Sequence, residues 1–211
     1  AFCKRTAKKG CSPAAVSNDF SLPPEYFCIF PHTEKVLCYN KKTPRGQGGE
    51  KGAVMRCCFT GHRAFSAAVA AELIAGLDVV LERLYAEGVR DFRAGGALGF
   101  DTLAALRVIA LREKHPDCTL SLILPCRDQA GRWSAKDRAL YERVLAAADN
   151  VTVLFETYTP ECMHARNRAL VDGSDYCVAF LTKNSGGTLY TCSYALKKGV
   201  KLINLADDLP E

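Results

Sequence analysis

From Met55 onward the chain alternates between short β-rich apolar runs and longer stretches with helical spacing, and no other feature narrows the fold as much. The predicted strands are 55–60 (MRCCFT), 89–94 (VRDFRA), 119–124 (TLSLIL), 151–155 (VTVLF), 175–181 (DYCVAFL) and 200–205 (VKLINL). Between and after them the spacing predicts helices over 66–87, 100–114, 134–148, 160–172 and 187–198. Strands that are apolar along nearly their whole length are buried on both faces, and strands joined through helices run parallel. The expected fold class is therefore α/β: a Rossmann-like three-layer α/β/α domain with a mainly parallel sheet over residues 55–211. Local signals agree. Ser134-x-x-Asp137 reads as a capping-box start, Thr159-Pro160 as an N-cap followed by Pro at the first helical position, and Gly88, Gly173 and Gly199 stand where helices stop.

Residues 1–54 are unlike this. They lack periodic apolar stretches, and Pro, Lys and Gly recur. The run 41–52 (KKTPRGQGGEKG) has the composition of a flexible charged linker, and 26–39 (YFCIFPHTEKVLCY) has the pattern of a short hairpin. The segment reads as an irregular, loosely ordered basic extension. Cys3, Cys11, Cys28, Cys38 and His32 fall in it, but without the close C-x2-C pairs of a zinc knuckle, so no metal is expected. It also holds nine Lys/Arg against four Asp/Glu, whereas residues 55–211 hold nineteen of each. The whole net charge of +5 thus sits in the extension, and the neutrality of the domain argues against nucleic acid as its partner. The chain has eleven cysteines, mostly inside apolar runs such as Cys57-Cys58-Phe59. Free thiols in a reducing compartment account for that better than a disulfide framework. The basic stretch Ala1–Gly10 leads into no apolar segment, and no run is long enough to span a membrane, so a cytoplasmic location is expected.

The polar clusters fall just after predicted strands: Thr60-Gly61-His62-Arg63, then Gly95-Gly96-Ala97-Leu98-Gly99-Phe100-Asp101, then Pro125 to Trp133 with Arg127, and Asn184-Ser185-Gly186-Gly187-Thr188. Ligands of parallel sheets bind beyond the carboxyl ends of the strands, where these loops are expected to converge. Glycines at 95, 96 and 99, and again at 186 and 187, let amides approach an anion at a helix start, and Thr188 adds a hydroxyl. The same glycines equally serve a tight strand-to-helix turn. Asp101 suits a helix start through the dipole alone, and equally contact with a ribose or base. His62 and Arg63 are expected at the ligand. Trp133 is expected mainly to cover the core edge. In Met163-His164-Ala165-Arg166-Asn167-Arg168, helical geometry lets only part of the set face one cleft, with Arg168 facing solvent.

Taken together, CFTGHR (58–63), GGALGFD (95–101), P-x3-Q-x3-W (125–133), CMHARN (162–167) and GGT (186–188) resemble the SLOG superfamily, most closely its YpsA-like branch. The resemblance spans about Met55 to Leu205 and implies a Rossmann-like fold with a nucleotide-type ligand. Met163-His164-Ala165-Arg166 is similar to a segment of the LOG-type cytokinin-activating phosphoribohydrolases, which implies a phosphate-binding or catalytic role for Arg166. The departure from that branch lies after Gly186-Gly187-Thr188: Leu189 to Tyr194 (LYTCSY) contains no Glu, so its catalytic carboxylate is missing, with Asp101 the candidate substitute. Arg166-Asn167-Arg168 and the segment from Gly186 also look like the strand-binding segment of the DNA-processing protein DprA.

The ligand-binding set expected from these readings is Thr60, Gly61, His62, Arg63, Gly95, Gly96, Gly99, Asp101, Arg127, Arg166, Asn167, Gly186, Gly187 and Thr188. The leading function is a sensing or regulatory module that binds a nucleoside phosphate, ADP-ribose or an NAD-like compound. The alternatives are an N-glycosidic hydrolase of nucleoside monophosphates, disfavoured by the missing Glu, and a single-strand DNA binder, disfavoured by the neutral domain. Arg166 and Asp101 are the catalytic candidates if there is catalysis. No cofactor is required. The expected partners are a small nucleotide ligand and, for a signalling role, a protein or a second copy of the chain in a homodimer.

Overall fold

The structure is a computed structural model that describes residues 54–208 together with Cys38–Tyr39. The linker at 41–52, nearly all of the hairpin at 26–39, and Cys3, Cys11, Cys28 and His32 lie outside the described residues. The elements in chain order are β1 (Cys38–Tyr39), β2 (Met55–Gly61), α1 (Ala67–Ala86), β3 (Val89–Ala94), α2 (Phe100–Lys114), β4 (Thr119–Cys126), α3 (Ala135–Ala147), β5 (Asn150–Phe155), α4 (Cys162–Val171), β6 (Tyr176–Phe180), α5 (Gly186–Lys197) and β7 (Lys201–Asn204). A 3-10 turn at Leu205–Asp208 follows.

The sheet order is β1-β7-β6-β2-β3-β4-β5. The six strands from β2 to β7 are parallel, and β1 joins the edge antiparallel, with Cys38 opposite Ile203. The sheet grows in one direction from β2 through β3 and β4 to β5, then returns to place β6 and β7 on the other side of β2. Right-handed crossovers therefore put α1, α2 and α3 on one face and α4 and α5 on the other. Reversal of winding at β2 and β6 is the topological switch point, where the loops at the carboxyl ends diverge and leave a crevice.

Both faces of the central strands are covered, which explains their unbroken apolar sequence. Toward α1 and α2 lie Cys57, Phe59, Phe92, Leu120, Leu122 and the α1 stripe Leu73, Leu77, Val80, Leu81 and Leu84. Toward α4 and α5 lie a smaller set, including Cys58, Cys177, Leu170, Val171, Cys192 and Ala195. The seven cysteines from Cys57 onward are free and buried. Burial pushes the Cys118 thiol up to about 11 and the Cys126 and Cys192 thiols to about 12.

Helix starts follow the sequence with one exception. Ser134 accepts the Asp137 amide and caps α3, as its motif predicts. At α4, by contrast, Thr159 is not the N-cap. The helix begins two residues beyond Pro160, Glu161 takes the cap position without a side-chain bond, and the Thr159 carbonyl rather than its hydroxyl accepts the Cys162 amide. Trp133 meets Tyr141 edge-on with ring centroids 5.4 Å apart, at the margin of the larger core. Among the described residues no helix is long and apolar enough to cross a membrane.

Candidate functional site

The crevice at the switch point is a cleft of about 300 Å³. The β2 loop contributes Thr60, Gly61, His62 and Arg63, α2 contributes Asp101, α4 contributes Met163, Arg166 and Asn167, and α5 contributes Gly187 and Thr188. Nine of the residues expected from sequence therefore meet around one cleft. Met163, Leu170, Phe59 and Ala97 add apolar wall; Met163, Phe59 and Ala97 stand inside the motifs without being expected at the ligand, and Leu170 stands outside them. Their signal in the sequence was only core-like hydrophobicity, which gives no hint of a cleft.

The other five do not line the cleft. Arg127 is exposed and paired with Glu156 at 2.6 Å, beyond the end of β4. Gly186 starts α5 with φ +90° and open space around its α-carbon. The glycines of the 95–99 loop serve packing. A side chain at Gly95 would put its Cβ 1.5 Å from Arg166 Nη1 and 2.7 Å from Asp101 Oδ2. One at Gly96 would meet Leu124 at 2.7 Å, and one at Gly99 the Arg63 carbonyl at 2.3 Å. Of the two glycine clusters, only the second is left as a candidate phosphate cradle: the first makes room for a side-chain ion pair and lets two loops touch.

That ion pair forms the floor of the site. Arg166 donates through Nη1 to Asp101 Oδ2 at 3.0 Å, and the Gly95 amide donates to the same oxygen at 3.2 Å. Both side chains are buried, Arg166 being 8% and Asp101 5% exposed. Burial pushes the Asp101 carboxyl up from its ordinary range, against the opposing pull of Arg166 and of the Ala97 and Gly95 amides. Arg166 Nε is buried and finds no acceptor among the described residues. A guanidinium carries five donors, and leaving one on a buried charged group unsatisfied costs on the order of 1–3 kcal/mol or more.

Around this pair the remaining polar groups are oriented by main-chain contacts. Asn167 Nδ2 reaches the Gly187 carbonyl at 3.5 Å, and Thr191 donates to the same carbonyl at 2.8 Å, which ties α4 to the first turn of α5. Neither α4 nor α5 has a side-chain cap. The amide-rich amino end of α5, with its partial positive charge, lies at the cleft where Gly187 and Thr188 line it. Arg63 is exposed and has no carboxylate partner among the described residues. His62 accepts the Thr182 amide at Nε2. The cleft is therefore cationic, with a single carboxylate that is already engaged. Among the described residues no cluster of three or more His, Cys, Asp or Glu side chains is placed to hold a metal.

Known proteins resemble this chain, some in fold and some in sequence. The structure of DprA from Helicobacter pylori, described for its single-stranded DNA binding mode, superposes with a TM-score of 0.52 over 74% of this chain and 71% of that one, at 16% identity. DprA from Streptococcus pneumoniae superposes at 0.50 over 71% of this chain and 49% of that one, at 21% identity. By sequence, the SPbeta prophage-derived protein YoqJ of Bacillus subtilis is 31% identical over 133 residues, 57% of this chain and 78% of YoqJ. A UPF0398 protein of Halalkalibacterium halodurans is 32% identical over 107 residues, 50% of this chain and 57% of its own. The chain thus spans over three quarters of YoqJ but well under two thirds of this UPF0398 relative. The family model described as the YspA SLOG family (YpsA) matches residues 57–202, most of the chain and all of the cleft, and the chain belongs to that family.

Proposed function

We propose that this protein binds a phosphate-bearing nucleotide or nucleotide-derived ligand in the cleft between β2 and α5, as a sensing or regulatory module. The observation that carries the reading is Arg166: a buried guanidinium on the cleft wall that has, among the described residues, one carboxylate partner, itself pushed toward neutrality by burial, and no acceptor for Nε. An anion in the cleft complements the guanidinium charge, and the amino end of α5 supplies further donors for it. The apolar wall of Met163 and Leu170 favours a ligand with an organic body over a bare ion. Asp101 is bound to Arg166 and to the Gly95 amide, so it supports the anion site rather than standing ready as a hydrolytic acid or base.

The test is a thermal-shift screen with AMP, ADP-ribose, NAD, cyclic nucleotides, adenosine and short oligonucleotides. A phosphorylated ligand at a hundred times its dissociation constant adds about 2.7 kcal/mol of stability. Adenosine should add far less than AMP, and Arg166→Met should remove the AMP effect. Equal shifts with adenosine and AMP would remove the anion from the reading. A shift with oligonucleotides alone would replace it with single-strand binding, the property for which the Helicobacter pylori DprA structure is described. Rapid release of free base from AMP, at about one turnover per second or more, would make the protein an enzyme.

A further inference from the structure

His62 sits where four segments meet. Its amide donates to the Phe180 carbonyl at the end of β6, and its carbonyl accepts the Phe100 amide at the start of α2. Its ring lies edge-on to Phe180, with centroids 5.7 Å apart. Its Nε2 is 3.0 Å from the amide nitrogen of Thr182, the first polar residue of the loop that leads into α5. A main-chain N–H can only donate, so Nε2 must carry a lone pair. The imidazole is then neutral, with its proton on Nδ1.

The loop it holds is otherwise lightly tied. Leu181 is pinned on both sides by Asn204, through its amide at 2.9 Å and its carbonyl at 3.2 Å. Beyond Thr182, residues 183–187 are all exposed, and Gly186 at φ +90° has nothing within 4 Å of the position a side chain would take. The direction in which the amino end of α5 points is set by where this loop leaves β6.

We propose that His62 is a positioning residue: as a neutral imidazole protonated on Nδ1, it holds the Thr182–Ser185 loop, and through it the amino end of α5, in place for the phosphate of the ligand. This rests on the reading of the cleft as an anion site. Protonation of His62 turns Nε2 into a donor facing another donor, so the latch is intact only in the neutral form. Burial, and secondarily the charge of Lys183, lower the His62 pKa from its ordinary 6.5. The latch therefore holds above pH 6.5 and is lost as the pH falls through the depressed value. The charge that acts on the ring is that of Lys183 on the loop, and the charged groups that share its cleft are Arg63 and the Asp101–Arg166 pair.

The experiment uses the full chain and nuclear magnetic resonance. In the ligand-free protein at pH 7.5, the nitrogen shifts of the His62 ring should show a protonated Nδ1 and a bare Nε2. The Thr182 amide should be protected from exchange and lose that protection on acidification in step with His62 titration. Binding of inorganic phosphate is then followed at the Gly187 and Thr188 amides. In His62→Gln the side-chain carbonyl reaches the place of Nε2, and affinity should stay within about threefold of wild type; in His62→Asn the amide reaches only the place of Nδ1, and affinity should fall roughly tenfold, the equivalent of about 1.4 kcal/mol. A proton on Nε2, a Thr182 amide indifferent to His62 titration, or equal weakening in both variants overturns the proposal. If wild-type protein binds no phosphate, the anion reading fails, while the ring tautomer and the Thr182 amide still decide whether the latch exists.

Discussion

Away from the cleft, α1 and α3 begin at serines whose hydroxyls accept the amide three residues on; the helices that reach the cleft, α2 on the same face and α4 and α5 on the other, begin with no side-chain cap at all. The difference extends into the layers beneath. The α1 face is a continuous apolar core in which Phe59 and Phe92 lie with nearly parallel rings 6.3 Å apart. The α4 and α5 layer buries Arg166, Asn167, Thr188 and Thr191, and Arg166 Nε has no acceptor among the described residues. A sequence selected for folding alone satisfies its helix ends and keeps charge out of its interior. The departures gather where the two faces meet at the cleft: α2 starts uncapped at Gly99 and buries Asp101, and α4 buries its partner Arg166, whereas α1 and α3, away from the cleft, follow the rules, the pattern expected when a site occupies one end of a sheet.

The largest effect is expected in the α1 core. Phe92→Ala removes a fully buried ring and should destabilise the protein by about 3–5 kcal/mol in urea unfolding, with ligand affinity unchanged wherever the variant is folded. An affinity loss in folded Phe92→Ala would break the division between the cleft and the rest of the fold. Next comes Arg166→Met, which strands the Asp101 carboxylate. Breaking a buried pair typically costs about 3–5 kcal/mol, but Asp101 can take up a proton, so a smaller loss with a pH signature is expected. A carboxyl whose folded pKa is raised gives its full contribution below its unfolded value of 3.8 and loses it as the pH rises through the folded value. The deficit of Arg166→Met relative to wild type should therefore shrink toward pH 4 and be greatest near neutrality. A deficit independent of pH would mean that Asp101 is not the group left behind. Third is Gly95→Ala, whose Cβ would displace the Arg166 guanidinium. Crowding of this kind costs about 1–3 kcal/mol. The variant should lose phosphate binding while retaining most of its stability, and retained binding would show that Arg166 does not hold the anion.

The strands and helices were legible because a parallel sheet covered on both faces leaves unbroken apolar runs, and each expected run from Met55 onward became a strand. What sequence could not convey was the order of the strands. The sequence leads one to expect the loops after the first, second, third and fifth strands of that series to converge. Only β6, β2 and β3 are neighbours at the switch point, while β4 lies one place further out and carries Arg127 away to Glu156. The 95–99 glycines were visible as glycines, but their reason was not. The atoms they make room for belong to Arg166, Leu124 and the Arg63 carbonyl, all distant in sequence. Thr159-Pro160 carried a start signal, yet the helix starts later and the Thr159 hydroxyl is buried without a partner. Contacts such as that of His62 with Thr182 have no counterpart in local pattern, because they depend on β2 and β6 lying side by side.

The smallest effect separates two serines that occupy the same formal position. Ser134 precedes α3 and Ser185 precedes α5, and both have extended backbone as N-cap residues do. Ser134 Oγ accepts the Asp137 amide at 3.1 Å and donates to the Asp137 carboxylate at 2.7 Å. Removing such a cap costs about 1 kcal/mol, so Ser134→Ala should lower stability by that amount and leave ligand affinity alone. Ser185 makes no cap bond, so Ser185→Ala should cost only a few tenths of a kcal/mol, the size of a propensity change. The reason offered for the missing cap is that the amides of the first α5 turn are kept for the phosphate of the ligand. If so, adding a saturating phosphorylated ligand should stabilise wild type and Ser185→Ala equally, since the ligand and not the hydroxyl serves those amides. A loss near 1 kcal/mol in ligand-free Ser185→Ala would show that α5 is capped after all in solution, and the contrast between the helices at the cleft and those away from it would then rest on the uncapped α2 and α4 and the buried Asp101–Arg166 pair.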